Sequence, residues 1–563
     1  MKNLSRRDFS KAIIAATAVG GLAPDYSLTA RGGTVPENSL STASPVFDSQ
    51  MVKIADYVEH FEIKSDNAYS NARLALLDAL ACGFLALPFP ECVKMLGPIA
   101  PGTVVPNGAR VPGTEFELDP VAAAFNIGCM VRWQDFSDES PNGHAGHPSD
   151  NLGGVLASAD YLSRVRVAKG KAPLVMRDVL TALTKAYEIE CVRGLDLHVC
   201  TNPGLETGWL VKVATAAVVT KMFGGTWQEI LNAVSQAFVD LTSLRLYRDP
   251  PTQGTRKSWG GADSASRGVW LALITLKGEM GYPTALTAKK EGVYDVLFNG
   301  VPFELLRPYG SWAIENNIFK VSFPAGTDVQ SALEAAARLR PLVKDRLDDI
   351  EKVTLTTFRD SWSWSPTSGE QLQPLTNSAA RDHSLQYSVA VVLIFGNITW
   401  DAYSDRVAAD PRIDALRAKM VVVVDKQWGA DSLDPNKYTK ENAIQIQFKD
   451  GTRTPKVDIQ YPLGHPIRRA EAIPLLMQKF KTSLGLRFSA KQQDRILSTC
   501  LDQKTLESTP VNEFMEAFVT PENPVRASKI AFGDTFAGIM STPAEREEFN
   551  PILIDTHSRR KSV

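Results

Sequence analysis

Hydrophobic residues recur at helical spacing over the first half of the chain. Between residues 50 and 280, Ala and Leu return with a period close to 3.6, which predicts amphipathic α-helices. The predicted helices cover residues 72–87, 120–133, 151–163, 177–191, 212–223 and 227–237. Ala, Gly and Ser also recur inside these runs, and small side chains let helices approach closely. The pattern therefore predicts a dense helical bundle.

The pattern changes near residue 318. Residues 352–358 alternate between polar and apolar side chains and residues 419–425 form a β-branched run, both typical of β-strands. Residues 443–448 and 454–461 flank the turn Gly451-Thr452-Arg453, which predicts a β-hairpin. Helical spacing is found between the strands at 329–339 and 412–418, and it returns after them at 473–485 and 491–501.

These patterns predict a mainly α protein that consists of a large all-helical domain and a smaller α+β domain. We expect the helical domain at 46–317, the α+β domain at 318–464 and a return to the helical domain at 465–520. Residues 1–45 form a predicted leader, and residues 521–563, rich in Pro and charged residues, a predicted C-terminal tail.

The leader has the layout of a targeting segment. Residues 5–11 read S-R-R-D-F-S-K and precede an apolar run at 12–23, which is shorter than the roughly 20 residues that span a bilayer. The motif resembles a twin-arginine export signal. A mitochondrial presequence and a disordered leader are the alternatives. We favour a mitochondrial or cytoplasmic location and keep export as the third alternative.

Composition excludes several classes of protein. The 563 residues contain 61 Lys+Arg and 63 Asp+Glu, a formal net charge of −2, whereas nucleic-acid binding usually needs a basic excess. A hydrophobic content of 44% is that of a globular protein without multiple membrane spans. The six cysteines lack the paired spacing of a zinc site or an iron–sulfur site. We therefore expect no nucleic acid, no membrane and no metal.

The densest group of reactive side chains lies in a loop between two predicted helices. The loop contains acids and histidines that can exchange protons: Asp135, Asp138, Glu139, His144 and His147. Such a loop can present acid–base groups at the mouth of a helical bundle. Helix capping, for example by Asp150, together with surface charge, is the alternative explanation.

Two further groups are cationic. Arg245, Arg248 and Lys257 lie around flexible glycines, and such cations would bind a small polycarboxylate. A solvated basic loop is the alternative. Lys320 lies among apolar residues, where burial would lower its pKa for proton transfer, unless it extends to the surface. Tyr309 and Ser311 precede it and are candidates for substrate binding.

Two histidines are weaker candidates. His383 follows Arg381-Asp382, and His465 follows Gly464. Either could equally anchor a domain interface.

Several long segments carry a family resemblance. They lie at residues 97–108, 119–128, 147–154 (HPSDNLGG), 254–259 (GTRKSW), 281–288 (GYPTALTA) and 381–383 (RDH). Over roughly residues 50–520, the chain resembles the MmgE/PrpD family.

The resemblance implies a helical domain with a smaller α+β lid, a site between them, and usually a homodimer. It implies a small tricarboxylate substrate and no cofactor, because members dehydrate 2-methylcitrate, or decarboxylate cis-aconitate, without an iron–sulfur cluster. Asp135, Asp138 and His147 match the first family motif, Lys257 the second and Lys320 the third.

The expected roles follow from the chemistry of dehydration, which needs a base, an acid and cations for the carboxylates. His147 is the expected acid–base group. Lys257 and Lys320 neutralise carboxylates, or one of them protonates the leaving hydroxyl. Arg245 and Arg248 hold carboxylates, and Asp135 orients its neighbours.

The chain departs from the family pattern at several site positions. Thr207 and Asp328 stand where the family usually has histidine, and Ser137 and Glu139 replace Asn and Thr. These departures favour a divergent dehydratase for a longer alkylcitrate in a secondary-metabolite pathway that leads to alkylcitrate or maleic anhydride products. Ordinary 2-methylcitrate dehydration in propionate breakdown is the first alternative. A cis-aconitate decarboxylase-like or non-catalytic polycarboxylate-binding paralogue is the second.

Overall fold

The fold is taken from a computed structural model that describes residues 46–141, 146–192, 204–248, 252–359, 375–434 and 436–520. The predicted leader and tail lie outside the described residues, as does His144. Among the described residues, no helix is both long enough and apolar enough to cross a membrane.

The first part of the chain is helical. Its longer helices are α1 (Ser49–His60), α2 (Asp66–Ala86), α3 (Pro120–Arg132), α4 (Asn151–Ala168), α5 (Met176–Cys191), α6 (Gly208–Met222), α7 (Trp227–Val239) and α8 (Gly260–Thr275). Short helices lie at Pro90–Val93, Val293–Leu297 and Trp312–Asn316, and β1 (Ala109–Arg110) pairs antiparallel with β2 (Glu117–Leu118).

The next part mixes helices with a four-stranded sheet. Its elements are α9 (Gln330–Val343), β3 (Ile350–Thr357), α10 (Leu385–Phe395), α11 (Pro411–Arg417), β4 (Met420–Val424), α12 (Lys426–Leu433), β5 (Asn442–Phe448) and β6 (Val457–Ile459), with short helices at Ser378–Arg381 and Asp405–Ala408. The strand order is β4-β3-β5-β6; β3 runs parallel to β4 and antiparallel to β5, and β5 and β6 form the hairpin. The chain then ends its described part in α13 (Arg469–Gly485), α14 (Ala490–Leu501), α15 (Gln503–Ser508) and α16 (Val511–Glu516).

Two large hydrophobic cores contain most of these elements. The first contains buried residues from Met51 to Val321 and again from Ala472 to Phe518, so α13 to α16 pack with the helical part. The second contains buried residues from Phe323 to Ile459. The predicted fold class, mainly α with a smaller α+β part, is confirmed, and the exact domain limits stay predictions.

Small residues allow the central helices to pack closely, as the sequence indicates. A Cβ on Gly128 in α3 would lie 2.9 Å from the Cβ of Ala262 in α8. A Cβ on Gly153 in α4 would lie 2.4 Å from the carbonyl oxygen of Ala124. Real side chains do not tolerate such approaches, so the contact between α3 and its neighbours requires glycine at these positions. This packing holds the end of α3, where the candidate site begins, in a defined place.

Candidate functional site

The site begins where α3 ends. Asp119 caps the helix by accepting hydrogen bonds from the backbone N–H groups of Val121 and Ala122, both at 3.0 Å. After Arg132, the last residue of α3, Asp135 adopts a left-handed backbone conformation with φ of 49°. Aspartate tolerates this conformation better than most residues. The turn brings the Asp135 carboxylate back onto its own helix end, where Arg132 Nη1 donates to Asp135 Oδ1 at 2.6 Å.

Asp135 is the centre of a buried cluster of nitrogen groups. Lys320 Nζ donates to its Oδ1 at 2.9 Å and to its backbone oxygen at 3.0 Å. His147 Nε2 lies 3.3 Å from Oδ1, and His383 Nε2 lies 3.3 Å from Oδ2. Burial raises the pKa of the Asp135 carboxyl, but Arg132, Lys320 and the two histidines outweigh burial and hold it well below its usual range. Asp135 is therefore ionised and aligns the groups around it.

His147 is positioned as a neutral base. Its Nδ1 lies 2.6 Å from the backbone oxygen of Asp138, so Nδ1 carries the proton and donates it to that carbonyl. Burial, followed by the charges of Arg132 and Lys320, lowers the pKa of His147 well below its ordinary value. The Nε2 lone pair is consequently available on the side of the cluster.

Asp138 supports this arrangement from outside the cation cluster. Its Oδ2 accepts from Asn317 Nδ2 at 2.7 Å and its Oδ1 from the backbone N–H of Ser149 at 3.2 Å, while its backbone oxygen orients His147. Burial raises the pKa of its carboxyl. Asp138 lies beside the histidine and orients it.

Lys257 belongs to the helical part and joins the cluster to residues of the α+β part. It lies in a 3₁₀ turn, Thr255–Ser258, and its Nζ donates to the backbone oxygen of Ala379 at 2.9 Å and pairs with Asp382. Lys257 Nζ also lies 2.8 Å from His383 Nδ1. Burial lowers the pKa of Lys257, although Asp382 and Asp135 oppose the shift. The sequence motif R-D-H thus contributes two side chains that join Lys257 to Asp135.

The predicted substrate-binding residues occupy different places. Arg248 makes two hydrogen bonds to Glu206, both at 2.9 Å, and its charge helps to lower the pKa of His147. Arg245 and Arg248 lie in the same short 3₁₀ helix, Arg245–Arg248. The backbone N–H of Arg245 donates to the backbone oxygen of Gly204 at 3.1 Å. The ring of Tyr309 stacks on Tyr57 with centroids 5.0 Å apart, and Ser311 Oγ donates to Glu315 at 2.8 Å; the structure gives neither a contact with Asp135.

The two positions without histidine have acquired other partners. Thr207 Oγ1 donates to Glu206 at 3.1 Å. Asp328 pairs with Arg359 at 2.7 Å and with Lys440 at 3.2 Å. Both side chains therefore have polar partners within the protein.

The geometry adds Arg132 and Lys479 to the sequence candidates, and it brings in Asp382 and His383, which were only weaker candidates. Arg132 could have been found in the first motif, because it stands three residues before Asp135. Asp382 and His383 had a weak signal, the R-D-H segment. Lys479 in α13 had none, although its Nζ reaches the backbone oxygens of Phe136 at 2.8 Å and Lys320 at 3.1 Å.

Asp135, Asp382 and His383 place three potential metal-ligand atoms within 4.8 Å of one another. Lys320, Lys257 and Arg132 already neutralise these carboxylates. A divalent cation would meet three positive charges at short range, so the group does not fit a metal.

Comparisons with known proteins show the family of the chain. The family models for the MmgE/PrpD N-terminal domain and the MmgE/PrpD C-terminal domain match residues 52–306 and 323–503. The chain is 52% identical over 478 residues to "2-methylcitrate dehydratase" of Salmonella typhimurium, an alignment that covers 84% of this chain and 98% of that protein. It is 42% identical to "2-methylcitrate dehydratase, mitochondrial" of Yarrowia lipolytica, over 92% of this chain and 97% of the relative. A "2-methylcitrate dehydratase-like protein" of Aspergillus oryzae is 38% identical, over 84% and 96%. The chain belongs to the MmgE/PrpD family.

Proposed function

We propose that this protein is a hydro-lyase that dehydrates 2-methylcitrate. The observation that carries the proposal is a neutral histidine, His147, held against a buried group of cations, Arg132 and Lys320, by one carboxylate. The names of the relatives support the same reaction. Dehydration of a tricarboxylate needs these parts: a base near a carbon–hydrogen bond, an acid near a hydroxyl, and positive charge.

His147 Nε2 is the base in this proposal. It takes the proton from the carbon beside a substrate carboxylate, because its Nδ1 is already committed to the Asp138 carbonyl. The resulting imidazolium is stabilised by the ionised Asp135, 3.3 Å away. Lys320 and Arg132 stabilise the negative charge that develops on the carboxylate as the proton leaves.

Lys257 is the acid that protonates the leaving hydroxyl. Its lowered pKa makes the buried ammonium a better proton donor than an exposed lysine. Asp382 and His383 hold the side chain in place. Arg248 is bound to Glu206, so in this structure it acts on the site through its charge, which lowers the pKa of His147.

The identity of the alkyl group is the finer part of the proposal. The 52% identity to a bacterial 2-methylcitrate dehydratase over almost its whole length favours a methyl substituent and propionate breakdown. A longer alkylcitrate in a secondary-metabolite pathway is the rival substrate, motivated by Thr207 and Asp328.

The test is a substrate panel with purified protein. 2-Methylcitrate and longer alkylcitrates are followed by the absorbance of the new conjugated double bond, and cis-aconitate by release of CO₂. We expect turnover of 2-methylcitrate and its loss in His147→Gln, with Glu351→Gln, an exposed strand residue, as the matched control. Thermal stabilisation by a tricarboxylate without any turnover would instead support a binding paralogue.

Oligomeric state and compartment are separate proposals. We propose a homodimer, by analogy with the family, and light scattering measures it directly. One relative that aligns with 92% of this chain is named mitochondrial, which supports mitochondrial targeting over export. A fluorescent fusion to the C-terminus of the full chain distinguishes the two.

A further inference from the structure

Glu139 is a buried carboxyl that the mechanism above does not use. Its backbone is fixed by two hydrogen bonds with Ile318, at 2.8 and 3.0 Å, two residues before Lys320. Its side chain is 12% exposed. Glu139 Oε2 accepts from Thr327 Oγ1 at 2.7 Å and lies 3.5 Å from His147 Nε2. The carboxyl therefore lies next to the nitrogen that we assign as the base.

The neutral tautomer of His147 leaves room for one more proton between Nε2 and the carboxyl oxygens that face it. Because Nδ1 donates to the Asp138 carbonyl, a neutral His147 presents a bare lone pair at Nε2. That lone pair faces two carboxyl oxygens, Asp135 Oδ1 at 3.3 Å and Glu139 Oε2 at 3.5 Å. Three acceptors facing one another repel unless one carries a proton. Asp135 is held ionised by Arg132 and Lys320, so Glu139 is the carboxyl that can carry it.

The surroundings of Glu139 keep that proton exchangeable. Burial raises the pKa of Glu139 to about 7, although Lys320, the Thr327 hydrogen bond and Lys440 lower it in part. The titratable and charged groups that act on Glu139 from the neighbouring elements are His147, Lys320, Asp328, Lys440 and Glu190. Cations and anions are mixed among them, so the carboxyl can exist in both protonation states near neutral pH.

We propose that Glu139 accepts a proton from His147. The imidazole removes this proton from the substrate, and the Glu139 carboxylate then takes it from Nε2. This inference rests on the proposed function. Glu139 acts through His147 and needs no contact with the substrate.

The protons balance over one turnover. The carbon–hydrogen bond breaks, and its proton passes to His147 Nε2 and then to the Glu139 carboxylate. The carbon–oxygen bond breaks, and the leaving hydroxide takes a proton from the Lys257 ammonium to become water. Glu139 then returns its proton through solvent to Lys257, and the enzyme regains its starting state.

The pH profile of kcat/KM provides the test. Below about pH 7 the Glu139 carboxyl is protonated and donates to Nε2, which blocks the base, so activity should rise with pH through this range. Glu139→Gln keeps the size of the side chain but cannot ionise. We expect kcat to fall by ~10²-fold with little change in KM, and the rise near neutral pH to disappear.

Two further variants separate proton transfer from a structural role. Thr327→Val removes a hydrogen bond that favours the ionised carboxylate, so the rise should move to higher pH. Glu139→Asp keeps an ionisable group and should restore the pH dependence with partial activity. A Glu139→Gln enzyme that retained the wild-type profile, or lost activity without a change of profile, would overturn the proposal.

Infrared titration tests Glu139 without turnover. Wild-type protein should show a protonated carboxyl band that fades as the pH rises through neutrality and is missing in Glu139→Gln, once the difference spectrum of the two proteins has removed the other buried carboxyls such as Asp150. Absence of that band in wild type refutes the role of Glu139. Wild-type protein that shows the band but does not dehydrate 2-methylcitrate refutes the proposed function, and with it the transfer step, but not the shared proton.

Discussion

Lys479 and Lys257 are both buried and both pair with an aspartate, yet their pKa values move in opposite directions. Lys479 Nζ donates to Asp78 Oδ1 at 2.8 Å and to two backbone oxygens, so its three protons are all used, and its pKa is raised although burial opposes this. Burial lowers the pKa of Lys257, which faces Asp382 and the imidazole of His383.

The difference separates a lysine with a structural role, Lys479, from the lysine proposed to act in the reaction, Lys257. The carbonyls that Lys479 holds belong to Phe136 and Lys320, the neighbours of Asp135 and the site lysine itself. The Lys479 ammonium ties these segments together, and the charge of Asp78 keeps it protonated. Lys257 also has three partners, but one of them is the titratable ring of His383, and burial outweighs the charge of Asp382.

Lys257→Met should give the largest effect. It removes the proposed acid, so kcat on 2-methylcitrate should fall by ~10²–10⁴-fold while the protein still unfolds cooperatively. Activity assays and urea denaturation are measured on the same preparation. A Lys257→Met protein that retained the wild-type kcat would contradict the role of Lys257 as the acid.

Lys479→Met should cost stability first. It leaves the Asp78 carboxylate buried without its partner, and such losses cost about 3–5 kcal/mol in the free energy of unfolding. Denaturant titration measures the loss. The double variant Lys479→Met/Asp78→Asn removes the unpaired charge and should recover most of it; if it does not, the ion pair is not the cause.

Asp150 extends the contrast to a buried carboxyl that no lysine contacts among the described residues. Burial raises its pKa to about 7, whereas the unfolded chain has an ordinary carboxyl. The folded state therefore binds this proton more tightly, and wild-type stability is lost as pH rises from about 4 to about 7, by up to about 1.4 kcal/mol per pH unit. Asp150→Asn should flatten this slope in denaturation measured at several pH values. Equal slopes in the two proteins would contradict the assignment.

The smallest effect is expected at the surface. Lys221 pairs with Glu59 at 2.7 Å, but its side chain is 43% exposed. Because solvent screens such pairs, Lys221→Met should change the free energy of unfolding by less than about 1 kcal/mol and leave kcat unchanged. A loss as large as that of Lys479→Met would mean that burial does not decide the strength of these pairs.

Much of the fold could be predicted from periodicity, with informative gaps. The predicted helix at 120–133 is observed as Pro120–Arg132, and the predicted hairpin is formed by β5 and β6. Helix α8, Gly260–Thr275, escapes prediction because its glycines are poor helix formers, and the close approach of Gly268 to Lys212 and Thr215 of α6 requires one of them. Helix α10 was also missed, because an apolar run rich in valine has no periodicity once every side is buried.

The candidate site also has a part that could be predicted from the sequence and a part that could not. Its first motif, residues 132–147, is one continuous segment of the sequence and could be found by inspecting residue types. The partners of that motif could not, because Lys320 is 185 residues from Asp135 in the chain and Lys257 is 126 residues from His383.

The sequence by itself determined the fold class, the family and the identities of the reactive side chains, because periodicity and motif are local properties. Tertiary structure decided which charges are buried together, which nitrogen of His147 is free and which lysine keeps its proton. Those properties depend on desolvation and on distances of about 3 Å between segments far apart in the chain, which no local pattern encodes.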